Sequence, residues 1–195
     1  MTTPASIGFR AKTGKAIAVA LAEDARSPRH LWRREIVLYD PEMPATGQPY
    51  HEVMELPWPR ALVEVRPLVA RIEAVARAAV KALLRELARE GFDVRVIGVV
   101  GSADRHLEKI GNFHIRAHAA EGILFRRVLE MAAEKNAVES VAFAEKLLPS
   151  ASAAALGGTA KVASTLKALG REAGPPWRAD ERAAATAAWF ALRQR

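Results

Sequence analysis

Cysteine is absent from all 195 residues. That excludes disulfides, thiolate metal ligation and a thiol nucleophile, and it fits a reducing compartment. Long apolar runs are missing as well, since none approaches the ~20 residues needed to span a bilayer. The opening Met1-Thr2-Thr3-Pro4-Ala5-Ser6 lacks a basic segment followed by an apolar core. A soluble, cytoplasmic chain with no membrane partner is the expectation. Two catalytic signatures are lacking too. No nucleophile-elbow sequence supports Ser/His/Asp catalysis. Gly8 through Lys15 has only the outline of a phosphate-binding P-loop: five residues separate Gly8 from Gly14 where about four are required, and Ala16 stands where a Ser or Thr would hold magnesium.

What is present is an ordinary globular balance, 50% hydrophobic and 26% charged, with much of the apolar share in alanine. A chain of this length buries roughly 70% of its unfolded surface, so one domain over 1–195 is expected. The net charge is +7 and the pI about 10.1. Such an excess favours an anionic partner, although an arginine-rich composition alone gives the same value.

The chain divides at its punctuation. Ile7 to Arg10 and Ala16 to Ala22 are apolar runs around a turn at Lys12-Thr13-Gly14-Lys15, the pattern of a hairpin, and Leu31 to Tyr39 alternates in part as a third strand. Pro41, Pro44, Pro49, Pro57 and Pro59 then forbid regular pairing from Asp40 to Pro59. A loop of that length inside a domain is usually functional or a packed Ω-loop. Leu62 to Glu90 repeats apolar residues at helical spacing, with Gly91 as its stop and Pro67 as a break near its start. Val94 to Val100 reads as a buried strand, Phe113 to Lys135 as a helix and Val138 to Phe143 as a last strand. Ser152 to Leu169 and Ala179 to Arg193 close the chain as helices around the Gly170 to Pro176 breaker.

Three meandering strands followed by helix, strand, helix, strand and helix resemble the ribonuclease H-like fold, an α/β class with a mixed five-stranded sheet flanked by helices. From Asn112 onward, through the strand at Val138 to Phe143, the helix start at Gly157-Gly158-Thr159 and the run Ala179-Asp180-Glu181-Arg182-Ala183-Ala184-Ala185, the layout is similar to that of Holliday-junction resolvases. The resemblance implies a hairpin of antiparallel strands, with the strands at Val94 and Val138 parallel to the first. It also implies an aspartate ending the first strand, a glutamate on the fourth and an acid on the last helix, which together hold two Mg²⁺ ions. Here the first position falls at about Phe9 or Arg10, the fourth strand reads Val96-Ile97-Gly98-Val99-Val100, and only Asp180 or Glu181 matches the remaining acid. Either the chain is a non-catalytic relative or its chemistry has moved.

In this topology the loops after strands one, three and four leave at the same edge. Three segments should meet there: the basic turn with Arg10, Lys12 and Lys15, the proline-rich loop with His51, Glu52 and Glu55, and the segment carrying Asp104, His114, His118 and Glu121. The catalytic candidates are His51, Glu52, Glu55, Asp104 and Asp180, and phosphate-binding candidates are Arg10, Lys12 and Lys15. His114 and His118 lie four apart on one helix face and could ligate a divalent metal, with Glu121 one turn beyond. A histidine hydrogen-bonded on the sheet-facing surface serves that spacing equally well, and the loop acids could simply pin the loop. To share an ion, the rings of His51 and His114 must come within about 10 Å.

Arg77, Lys81, Arg85 and Arg89 repeat every four residues on the long helix, a basic stripe about 18 Å long at 1.5 Å per residue. It can follow a nucleic-acid backbone or be a solvated face offset by Glu73, Glu86 and Glu90. The expected function is nucleic-acid binding or processing through a degenerate or relocated site. The alternatives are a metal-dependent hydrolase of a small anionic substrate, and a non-catalytic adaptor that binds a protein partner or a second copy of itself.

Overall fold

The computed structural model describes residues 2–24 and 27–194; Met1, part of the opening stretch read above, lies outside them. Strands β1 (Thr3–Lys12), β2 (Lys15–Ala22) and β3 (Arg29–Val37) form an antiparallel meander. Gly14 turns the first hairpin with φ of +74°, a conformation open to glycine at little cost. β4 (Phe92–Gly101) pairs parallel to β1, and β5 (Glu139–Ala144) parallel to β4, giving the order β3-β2-β1-β4-β5. The expected mixed sheet is therefore present.

Alternation along β1 sends its side chains to two different layers. Ile7, Phe9 and Ala11 enter the main core beneath α2 (Arg66–Arg89) and α3 (Phe113–Glu134). Ser6, Gly8 and Arg10 face α6 (Ala179–Leu192), where the Ser6 hydroxyl donates to the Ala188 carbonyl. α6 brings an alanine-rich surface so close to the sheet that a Cβ on Gly8 would sit 1.9 Å from the Ala184 carbonyl oxygen, and one on Gly98 would sit 2.3 Å from that of Ala187.

Two helical stretches are divided, the first at the break expected near Pro67 and the second, Ser152 to Leu169, where a single helix is expected. The first is α1 (Trp58–Glu64) and then α2, separated at Val65. Pro67 lacks an N–H and so starts the second helix more readily than it continues the first. The other is α4 (Leu148–Leu156) and α5 (Thr159–Ala173), parted by Gly157 and Gly158 at φ of +92° and +97°. Among the described residues no helix is long and apolar enough to cross a membrane.

His30 on β3 is partly buried against α5, and its Nε2 is enclosed without a partner. Burial lowers its pKa below the ordinary 6.5, against the opposing pull of Glu172 and with a smaller push from Arg33. A depressed imidazole leaves the folded state with fewer bound protons than the unfolded chain once pH falls below the unfolded value. Stability should therefore be complete above about pH 6.5 and decline as pH falls from there toward the folded pKa. Denaturant titrations from pH 7 to 5 should show this decline in the wild type and a shallower one in His30→Gln. Parallel pH dependences would remove His30 from the explanation.

Candidate functional site

The proline-rich loop is anchored before it reaches His51. Asp40 is buried, its N–H donates to the Thr46 hydroxyl at 2.8 Å, and Arg71 pairs with its carboxylate at 2.5 Å. The Arg71 guanidinium, helped by the Glu42 N–H, holds the Asp40 carboxyl below its usual range. A single turn at Pro44–Gly47 and the bond from the His51 N–H to the Gln48 carbonyl at 3.0 Å then set the backbone of His51.

α3 supplies the other half. Asn112 caps it by accepting from the Ile115 N–H at 2.9 Å, so the first turn is regular and His114 and His118 project from one side. The rings of His51, His114 and His118 converge, with centroids 5.0, 4.5 and 4.4 Å apart, each pair edge to face. One nitrogen from each lies within 4.8 Å of the others, and the Nε2 atoms of His114 and His118 are 3.1 Å apart. Three nitrogens at 2.0–2.1 Å from a tetrahedral ion stand about 3.3 Å apart. The closest pair already has about that spacing, and the third nitrogen lies within 4.8 Å of both.

Glu121 stands behind His51. It is fully buried, and its Oε1 lies 2.8 Å from His51 Nδ1 and accepts from the His51 backbone N–H at 3.3 Å. That fixes Nδ1 as the hydrogen-bonded nitrogen and leaves Nε2 free. Glu121 Oε2 is enclosed without a partner. A carboxylate so placed is costly unless a positive charge lies close by. Tyr50, beside it, has its phenol pushed up by burial, with Arg127 opposing and Glu121 adding. A carboxylate–imidazole pair and two further imidazoles could together hold a single transition-metal ion.

The other sequence candidates take different places. Glu52 and Glu55 are exposed on the loop and contribute nothing to the three-nitrogen cluster. Asp104 accepts from Arg126 at 2.6 Å and Arg127 at 3.1 Å. The basic turn lies against the loop, where a Cβ on Gly14 would sit 3.5 Å from the Gly47 carbonyl oxygen, but its charges pair elsewhere. Lys15 pairs with Glu35 at 2.7 Å across the hairpin. Arg10 pairs with Glu145 at 2.6 Å and Asp180 at 3.5 Å, and Lys12 with Asp180 at 2.7 Å, on the α6 side of the sheet. Glu181 accepts from the Arg178 N–H at 2.8 Å and so caps α6. At the end of β1 the chain thus carries a guanidinium between two carboxylates. Glu145 was missed in the sequence, although its position just after β5 at the strand carboxyl edge was a usable signal.

Arg77, Lys81, Arg85 and Arg89 are all exposed on α2, and none is in an ion pair among the described residues. Glu86 is drawn away from the stripe by Arg34, whose guanidinium binds it through both terminal nitrogens and holds its carboxyl below the usual range.

No protein-family model matches this chain. No curated protein matches it. Among solved structures it is similar to the Thermus thermophilus RuvC structure, with a TM-score of 0.50 and 15% identity over 95% of this chain and 92% of that one. It is also similar to T. thermophilus RuvC in complex with Holliday junction substrate, with a TM-score of 0.51 and 14% identity over 95% of this chain and 90% of the other. The chain therefore shares the fold of these RuvC structures, a ribonuclease H-like mixed five-stranded sheet flanked by helices.

Proposed function

We propose that this protein processes nucleic acid with a single divalent transition-metal ion held by His51, His114 and His118, on the helical face of the sheet opposite the Arg10 and Asp180 pair. The observation that carries the reading is the convergence of three imidazoles in front of a buried carboxylate that orients His51 and whose charge a cation would balance. These three residues would hold a zinc-class ion, which would supply Lewis acidity and an activated water. Glu121 keeps the His51 ring from turning, while His114 and His118 present their Nε2 atoms from a rigid helix. Because both of those residues are exposed, an ion held there would be open to solvent, which suits a polymer lying across the surface better than a small enclosed substrate. The start of α3 beside them directs backbone N–H groups outward, which favours a phosphate.

Charge supports the same substrate. The stripe on α2 lies in the same helical layer as the metal ligands and runs from Arg77 toward the opposite edge of the sheet. Each phosphate that it neutralises steepens the salt dependence of duplex binding by about 0.9 in log–log slope. Lys81→Glu with Arg85→Glu should flatten that slope by about 1.8. In parallel, zinc-loaded wild type should hydrolyse a labelled oligonucleotide, and His118→Ala should bind it with the wild-type salt slope yet leave it intact. Equal hydrolysis by His118→Ala, or binding that ignores salt, would contradict the proposal.

A further inference from the structure

On the other side of the sheet, α5 and α6 enclose a cleft of about 500 Å³ whose floor includes Leu166, Gly170 and Trp177. The indole is held in place. Trp177 Nε1 donates to the Leu166 carbonyl at 3.0 Å, and the ring lies so close over α5 that a Cβ on Gly170 would sit 2.5 Å from its Cδ1. Arg33 fixes the preceding segment by donating to the carbonyls of Gly174 and Pro176, and the His30 ring meets the indole edge-on at 6.2 Å. An aromatic wall built this way loses little freedom when something packs against it.

Three cations line the same cleft. Lys167 and Arg171 are four apart on α5 and so project to one side, while Arg182 reaches in from α6. All three are exposed, and none forms an ion pair among the described residues. A neighbouring hollow of about 280 Å³ shares Leu166 and Arg182 and extends to Glu145, the partner of Arg10 at the end of β1. Like charges gathered round an apolar floor repel one another, and an anion with a flat apolar part relieves both conditions. The volume lies in the range of roughly 300–1,000 Å³ usual for small-ligand sites.

We infer that this cleft binds an unpaired nucleotide, with the base against Trp177 and the phosphate between Lys167, Arg171 and Arg182. Stacking on an aromatic wall accepts any base, and the arginine fork suits phosphate oxygens. The inference rests on the reading that the protein handles nucleic acid, but it uses none of the residues of the proposed metal centre. A nucleic acid would then be gripped on the α6 side of the sheet at a nucleotide outside the duplex.

Isothermal titration calorimetry with 2′-deoxyadenosine 5′-monophosphate tests it. One site per chain is expected, with deoxyadenosine and inorganic phosphate each binding at least about tenfold more weakly, the scale of a lost charge-assisted contact or a lost stack. Arg171→Glu and Trp177→Ala should each weaken binding by a similar factor, and Trp177→Phe should restore it. Arg171→Glu alters an exposed side chain, so its reading does not depend on folding. Absence of binding, equal affinity for inorganic phosphate, or tighter binding of a glutamate-rich peptide would overturn the assignment. Zinc content measured on the same samples separates the two readings. Nucleotide binding without zinc retention overturns the metal centre alone, and zinc retention without nucleotide binding overturns the cleft alone.

Discussion

Replacing Gly8 by valine is expected to destabilise the domain by about 3 kcal/mol, read as a melting temperature about 6–12 °C lower. The reason is not glycine's flexibility, since Gly8 lies in regular β1 structure. A side chain at that position points into α6, where even a Cβ would be 1.9 Å from the Ala184 carbonyl oxygen and 2.5 Å from the Ala188 nitrogen. Backbone cannot rotate out of the way as a side chain can, so the helix must shift from the sheet. That shift opens contacts among Val19, Leu21, Ala184, Ala188 and the fully buried Trp189. Thermal unfolding of the purified variant checks this. A melting temperature within a degree or two of wild type would show that α6 sits less firmly on β1 than the geometry states.

The second expected result concerns Glu121. Glu121→Gln preserves size and an oxygen able to accept from His51, but removes the charge. Metal affinity should drop by about 10- to 100-fold, the range for loss of a carboxylate behind a ligating histidine. Stability without metal should not fall, and can rise, because the enclosed Oε2 has no partner and the charge that it shares is no longer buried. These opposite signs make the variant informative. A role confined to pinning the loop through His51, which the amide oxygen keeps, would leave metal affinity unchanged. Metal titration and denaturant unfolding on one preparation read both quantities.

The sheet was legible because its cues are local. Alternation in Leu31 to Tyr39, the continuous apolar run before Val100 and the turn at Gly14 each identify an element without reference to the rest of the chain. Helix boundaries were less so, since Pro67 and the Gly157-Gly158 pair can mark either a kink or a full stop, and tertiary packing decides which. In the site, the spacing of His114 and His118 was visible, and topology brought His51 to the same edge. The place of Glu121 behind His51 was not. Helical spacing puts it on the same side as both histidines, and only the descent of the loop onto α3 determines which ring it meets. The pairing of Arg10 with Glu145 joins residues 135 positions apart and has no local signal. The cations of the α5 and α6 cleft likewise come from two helices whose packing no single stretch of sequence encodes.

The most direct test is equilibrium dialysis of the purified chain against zinc, followed by elemental analysis of the retained ion. One zinc per wild-type chain is expected, with none retained by His51→Ala, because the loop and α3 supply a complete donor set only together. Failure of the wild type to retain zinc, or equal retention by His51→Ala, would contradict a metal centre at these three histidines.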